Sequence, residues 1–256
     1  MAQDSKIEWT KHTQNLWSGC TKVTNGCTNC YAETLSKRFG NDVWGEDKPR
    51  LIVKSAWSSL VKFQKLAKES NEIHYVFVGS MMDIFEKPMP LIDSKGGTIE
   101  ENTNDLRQHF FKNIDSAPNL MFLLLTKRPS NIPKYVPTEW NIITPKNIMY
   151  GTSLCEQKDV INMAEKLVLY TPDSAKRFLS IEPQIGNIEI PINLLKRFDW
   201  VIQGGESGHH KRPFDLSWAY SMKKQCEEAG VPYFFKQIDK IQEIPIDLQI
   251  RQFPKI

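Results

Sequence analysis

The chain has 256 residues, 33 of them basic and 30 acidic, for a formal charge of +3. That balance excludes a polycationic nucleic-acid coat and leaves room for a local basic site. The first residues, Met1 to Lys6, form no apolar signal region, and no run of about 18 apolar residues occurs, so a soluble, cytoplasmic protein without membrane spans is expected.

This length suits one large domain and is typical of a (β/α) barrel. In chain order, a short strand precedes Cys20, and residues 56–69 follow a helical period with Trp57, Leu60, Val61, Gln64 and Ala67 along one side. A strand is expected at 73–78, a surface loop around Gly96 and Gly97 at 95–103, and a helix at 104–114 carrying Leu106, Phe110, Phe111 and Ile114. Strands at 120–125 and 148–151 precede a helix at 160–169, and strands at 177–181 and 200–203 precede a helix at 218–229. Gly230 and Pro232 stop that helix before a last strand at 233–236. Beyond Ile238, Pro245 and Pro254 indicate a short irregular tail. Strands alternating with helices imply a parallel sheet covered by helices, so residues 1–256 read as one α/β domain, a partial or complete (β/α) barrel.

Almost every expected strand runs into a polar cluster. These are Gly79-Ser80-Met81-Met82-Asp83, Thr126-Lys127-Arg128-Pro129, Thr152-Ser153, Glu182-Pro183, Gly204-Gly205-Glu206-Ser207-Gly208 and Lys236-Gln237. Any one of them is explained by loops being polar. Together, at one end of the sheet where α/β folds bind ligands, they indicate a shared pocket. The Gly204-Gly205 turn also permits close backbone approach, although it lacks the spacing of a dinucleotide fingerprint.

Cys20, Cys27 and Cys30 form a C-x6-C-x2-C array. Packing does not require three thiols within eleven residues, whereas zinc or an iron–sulfur cluster does. Five cysteines in all, three of them clustered, favour metal binding over a disulfide framework in a reducing compartment. Closed zinc sites want four ligands, and no histidine or cysteine follows Cys30 at a standard short spacing. An iron–sulfur cluster with one open iron therefore leads, and zinc with a long-range fourth ligand stays open. Cys155 and Cys226 read as ordinary buried thiols.

The run Ile7-Glu8-Trp9-Thr10, Gly19-Cys20 and Gly26-Cys27-Thr28-Asn29-Cys30-Tyr31-Ala32-Glu33 resembles the opening of a phage-associated three-cysteine-motif family of unknown function. The resemblance continues in 80–83, 125–129, 178–183, 204–208 and 234–237, and so covers almost the whole chain. That family is similar to a divergent branch of the radical S-adenosylmethionine (SAM) enzymes, whose usual spacing is C-x3-C-x2-C on the loop after the first strand; here the first gap is six.

The resemblance implies a barrel of the radical SAM type, with Cys20, Cys27 and Cys30 on a [4Fe–4S] cluster and SAM as second cofactor. It implies that Asn29 and Tyr31 touch the adenosine and that Ser80 and Asp83 meet the methionyl amino group. Ser153 and Glu182 would hold ribose hydroxyls or the amino group, Lys127 or Arg128 the carboxylate, and Gly204, Gly205 and Glu206 would line the cofactor. His209, Lys211, Arg212 and Lys236, with Lys127 and Arg128, would form a basic rim suited to a nucleotide or nucleic-acid substrate. An external electron donor is implied, and a phage-encoded partner protein is compatible. The competing expectation is a non-enzymatic zinc or Fe–S protein that binds nucleic acid or such a partner.

Overall fold

The structure is a computed structural model that describes residues 3–208 and 210–255. Seven strands form one all-parallel sheet in simple chain order: β1 His12–Gln14, β2 His74–Val78, β3 Leu120–Thr126, β4 Ile148–Ser153, β5 Lys176–Ile181, β6 Trp200–Gly204 and β7 Tyr233–Gln237. Every expected strand is present, within two residues at each end. Parallel neighbours need a crossover. It is supplied by α1 (Tyr31–Arg38) with α2 (Ala56–Ser70), by α3 (Thr103–Lys112), by shorter helical turns, and by α4 (Leu216–Ala229) before β7.

The strands are near-continuous apolar runs because both faces are buried. Period-two alternation sends Val76, Val78, Phe122, Leu124, Tyr150, Leu179, Val201 and Phe235 toward the helices, where Leu60, Phe63 and Ala67 of α2 and Ala219, Met222 and Cys226 of α4 meet them. It sends Phe77, Met121, Leu123, Met149, Phe178, Trp200, Ile202 and Phe234 to the other face, around Trp9. Tyr75 on β2 and Trp200 on β6 stand only 5.8 Å apart between ring centroids. In a flat sheet, strands four places apart would be separated by about 19 Å. The sheet is therefore curled, and this second cluster fills its concave side. It remains a half-barrel, since β1 and β7 are its two edges and do not pair. The tail closes part of the gap: Arg251 bridges Phe234, and Phe253 packs against Trp200 at 5.2 Å and Phe234 at 5.5 Å.

Two expectations need correction. Part of the loop expected at 95–103 is a strand, Thr98–Asn102, paired antiparallel with Pro90–Ile92 in a second sheet that includes Arg50–Ile52 and Trp17–Ser18. Its residues are largely exposed because it is an edge strand, so it lacks the apolar alternation that identifies a strand. In α2 the buried side runs through Ala56, Leu60, Phe63 and Ala67, and Val61 is 73% exposed on the opposite side. Among the described residues, no helix is long and apolar enough to cross a membrane.

Candidate functional site

At the carboxyl ends of the strands the concave face changes character. Below, Phe178 lies so close over Gly151 that a Cβ there would stand 2.2 Å from its ring. Above, the next inward positions are Lys127, Ser153 and Ser180, side by side because Thr126 registers with Thr152 and Ser153 with Ser180. One step higher come Glu182, Gly204 and Lys236. Ser153 is 1% exposed, and its Oγ has no hydrogen-bond partner among the described residues. Ser153 Oγ and Glu182 Oε1 are the two buried polar atoms at these strand ends without a hydrogen-bond partner among the described residues.

The loop bearing the three cysteines crosses this end of the half-barrel. A 3-10 turn covers Asn25–Cys27, and Cys30 is the N-cap of α1. All three thiols are free and half-buried. The loop is tied to strand ends on the far side: Asn25 Nδ2 donates to Glu156 Oε1 at 2.8 Å, and Asn29 Nδ2 donates to Glu206 Oε2 at 3.1 Å and to the His210 carbonyl at 2.8 Å. Arg212 Nη1 donates to the Asn25 carbonyl, and the Tyr31 hydroxyl donates to the Ser80 carbonyl at 2.7 Å. Cys155, just past β4, puts its sulfur against Gly26. Asn29 thus meets Glu206, and Tyr31 meets the Ser80 carbonyl, so these expected cofactor contacts are engaged in pairs with one another.

Lys127 and Arg128 are adjacent in sequence but do different work. Asp83 accepts from the Thr126 hydroxyl at 2.7 Å, the Phe85 and Lys127 amides, and Arg128 Nη1 at 2.7 Å. Arg128 also donates to the Thr21 carbonyl at 2.7 Å and lies 3.7 Å from Cys20 Sγ. Behind it Arg50, 0% exposed, makes a bidentate pair with Glu86, 1% exposed, and donates to Val43, Lys48 and Gly45 carbonyls and the Thr21 hydroxyl. Arg128 and Asp83 are therefore structural anchors of the cysteine loop. Lys127 alone among the expected rim cations has no carboxylate partner in ion-pair range among the described residues.

The thiols differ electrostatically. Burial, aided by Asp83 and opposed by Arg128, pushes Cys20 up to about 12. Burial would raise Cys27 as well, but the charge of Lys127 and hydrogen bonds from Val23 and Thr24 outweigh it, and its thiol lies below the usual range. Cys155 is raised to about 11 by burial. Burial works against the charge of Lys127, yet the neighbouring Cys155, Cys27, Cys30 and Asp83 outweigh it and its pKa lies above the usual lysine value.

The remaining rim cations are paired. Lys211 meets Asp239 at 2.8 Å, Arg212 meets Glu206 at 2.7 Å and Lys236 meets Glu182 at 3.0 Å. The last pair is poorly directed, since Glu182 Oε1 makes no hydrogen bond. His210 is exposed, and His209 lies outside the described residues. The close approach permitted by Gly204 and Gly205 is used by the protein itself: a Cβ on Gly204 would meet Glu182 Oε1 at 2.7 Å, and one on Gly205 the Ile238 carbonyl at 2.0 Å.

Sequence reasoning missed Arg50, Glu86 and the contact of Cys155 with the loop, and it named Ser180 only as part of the strand end before Glu182. A charge at the head of an apolar run, as in Arg50-Leu51-Ile52-Val53, was the signal available for the first. Two clefts of about 300 and 380 Å³ lie elsewhere, one between α4 and the tail, the other beside Trp9 and Phe253. Among the described residues, no three His, Cys, Asp or Glu side chains converge as ligands of a single ion.

A curled half-barrel of parallel strands with a three-thiol loop tied across its carboxyl end defines the architectural class. A family model described as "Protein of unknown function (DUF5131)" matches residues 4–247, and the chain belongs to that family. No curated protein and no solved structure matches it.

Proposed function

We propose that this protein is a radical SAM enzyme, its Cys20, Cys27 and Cys30 holding a [4Fe–4S] cluster over the half-barrel. The observation that supports the reading is a loop with three free thiols, tied across the strand ends through Asn25, Asn29 and Tyr31, while the Ser153 hydroxyl among those strand ends lacks a partner. In its support, the three thiols are free and half-buried, with Arg128 3.7 Å from Cys20 Sγ, although no three such side chains converge on one ion among the described residues. Such a cluster, held by Cys20, Cys27 and Cys30, would supply the electron for reductive cleavage of bound SAM.

The chain's own residues bind and orient. Lys127 is the cation available to a carboxylate, with Ser153 and Ser180 hydroxyls beside it. Glu182 is the acceptor for an amino group or ribose hydroxyl, since its Oε1 makes no hydrogen bond although Lys236 approaches it at 3.0 Å. Asn29 and Tyr31 border the adenosine from the loop, and Glu206 holds Asn29 in place. Arg128, Asp83 and Ser80 act by fixing the loop, since their polar atoms are already engaged. The aromatic floor of Phe178 and Phe234 excludes water from below. A nucleotide or nucleic acid is the proposed substrate class, its phosphates meeting Lys211, Arg212 and Lys236 in exchange for their carboxylate partners. An external one-electron donor completes the reaction.

One observation favours the second reading, a zinc-binding protein that contacts nucleic acid or a partner: Cys155 is a fourth thiol seated against the same loop. Anaerobic reconstitution with metal analysis separates the two. About four irons per chain with visible charge-transfer absorption, lost in Cys20→Ala, Cys27→Ala and Cys30→Ala but kept in Cys155→Ala, is the expected result. Reduction with dithionite in the presence of SAM should then release 5′-deoxyadenosine. One zinc that is lost in Cys155→Ala supports the second reading.

A further inference from the structure

We propose that the outer face of α1 and its C-cap Phe39 form a track for single-stranded nucleic acid leading into the site, with a base stacked on Phe39 and the backbone beside Arg38; the inference rests on the nucleic-acid substrate class proposed above. Among the described residues, the two most exposed aromatic side chains are Phe39, at 71%, and Tyr31, at 53%, and they stand at the two ends of this one helix. By contrast, Phe253 and Tyr220 are engaged within the protein: Phe253 packs on Trp200 at 5.2 Å, and the Tyr220 hydroxyl donates to Asp247 at 3.2 Å. Tyr31 marks the inner end of the track. Its hydroxyl donates to the Ser80 carbonyl just past β2, and Cys30 caps the helix beside it. Phe39 lies about 12 Å farther along the helix axis, the length of about three or four stacked nucleotides.

Charge gives the partner its sign. From Cys20 to Gly40 the chain carries Lys22, Lys37 and Arg38 against Glu33 alone, an excess of two positive charges. Glu33 is shared by both lysines, at 2.7 Å each, and so cannot neutralise the pair. Arg38 is exposed, and no carboxylate lies in ion-pair range of it among the described residues. The next acid in the chain, Asp42, is taken by Lys48. Basic residues in the last turn of a helix are expected from its dipole. An aromatic ring left to solvent directly after them is not, and the two kinds of side chain together match unpaired bases and their phosphates. A duplex hides the faces of its bases within the stack, so stacking on Phe39 selects a single strand. At this exposure Phe39 gives little to folding, so its removal tests binding and not stability.

The test is fluorescence anisotropy of short labelled single strands of DNA and RNA, and of a duplex hairpin, titrated with the purified full chain at several salt concentrations. The single strands should bind more tightly than the hairpin. Phe39→Ala should weaken their binding about tenfold with the salt slope unchanged, whereas Phe39→Trp should retain it. Arg38→Gln should flatten the slope by about 0.7. Tyr220→Ala, which removes an exposed ring on α4, should change neither. Wild-type affinity in Phe39→Ala, or a hairpin bound as tightly as the single strands, overturns the proposal. Failure of the wild-type chain to bind any of these probes also overturns it and leaves this face to a protein partner. The readout does not depend on bound metal, so loss of the radical SAM reading leaves the track standing. Losses confined to Lys211→Ala with Arg212→Ala would keep phosphate at the rim and overturn the track; losses confined to the Phe39 and Arg38 variants would support the track and remove the rim.

Discussion

The sulfur of Cys155 occupies the space beside Gly26 so fully that a Cβ on that glycine would stand 2.0 Å from it. Glycine at 26 is thus set by a side chain more than a hundred residues away, and the cysteine loop is seated on β4 through this contact. Gly26→Ala should displace the loop and destabilise the protein by about 1–3 kcal/mol, a typical cost of overpacking. Cys155→Ala should cost less, and the double variant should recover most of the loss, since the new methyl enters the space the sulfur leaves. Urea denaturation of the four proteins measures the coupling; additive losses would show that the two sites are independent.

The buried Arg50–Glu86 pair gives a second expectation. Removing one partner strands a charge where water does not reach, which costs about 3–5 kcal/mol. Glu86→Ala should lower stability by that order and loosen residues 43–48, whose carbonyls Arg50 holds. Hydrogen exchange localised to that segment checks the second part, and unchanged protection there would refute it.

Acid stability should depend on His12. It is fully buried, stacked on Phe63 at 4.1 Å, and its Nε2 lies 3.0 Å from His74 Nδ1. Burial, then the charge of His74, lowers its pKa from 6.5 to about 4. Between those values the unfolded chain binds the proton that the folded chain refuses, so stability is full above pH 6.5 and falls as pH drops toward 4. The loss is on the order of 3 kcal/mol at most. Urea midpoints across this range should slope downward with acid, and His12→Asn should flatten the slope; an identical slope in the variant assigns the effect elsewhere.

Basic groups at the rim are expected to act on phosphate only by giving up Asp239, Glu206 and Glu182. For Lys211→Ala with Arg212→Ala, short DNA and RNA should bind more weakly, with a salt dependence reduced by about one unit of slope per lost contact. Lys211→Ala alone should leave metal absorption unchanged, since Lys211 is paired with Asp239, whereas Arg212 also ties the Asn25 carbonyl. Equal affinity and slope in wild type and variant would point to a small-molecule or protein substrate instead.

Much of the fold was legible in the chain because strands buried on both faces must be apolar along their length, and each such run ends where polar residues begin. The thiol array needed no structure either, since no packing role gathers Cys20, Cys27 and Cys30 so closely. The strand Thr98–Asn102 was hidden because an exposed edge carries no apolar signal. Partners were hidden too. Nothing local reveals that Lys236 meets Glu182, that Arg212 meets Glu206, or that Arg50 and Glu86 are buried together. Hydrophobic periodicity is written residue by residue, and so the sequence determined the strands, their order of appearance and the thiol loop. Charge pairing depends on which strand ends the curled sheet brings within a few ångströms, and only the tertiary structure decided that Arg128 is spent on Asp83 while Lys127 is left to face the thiols.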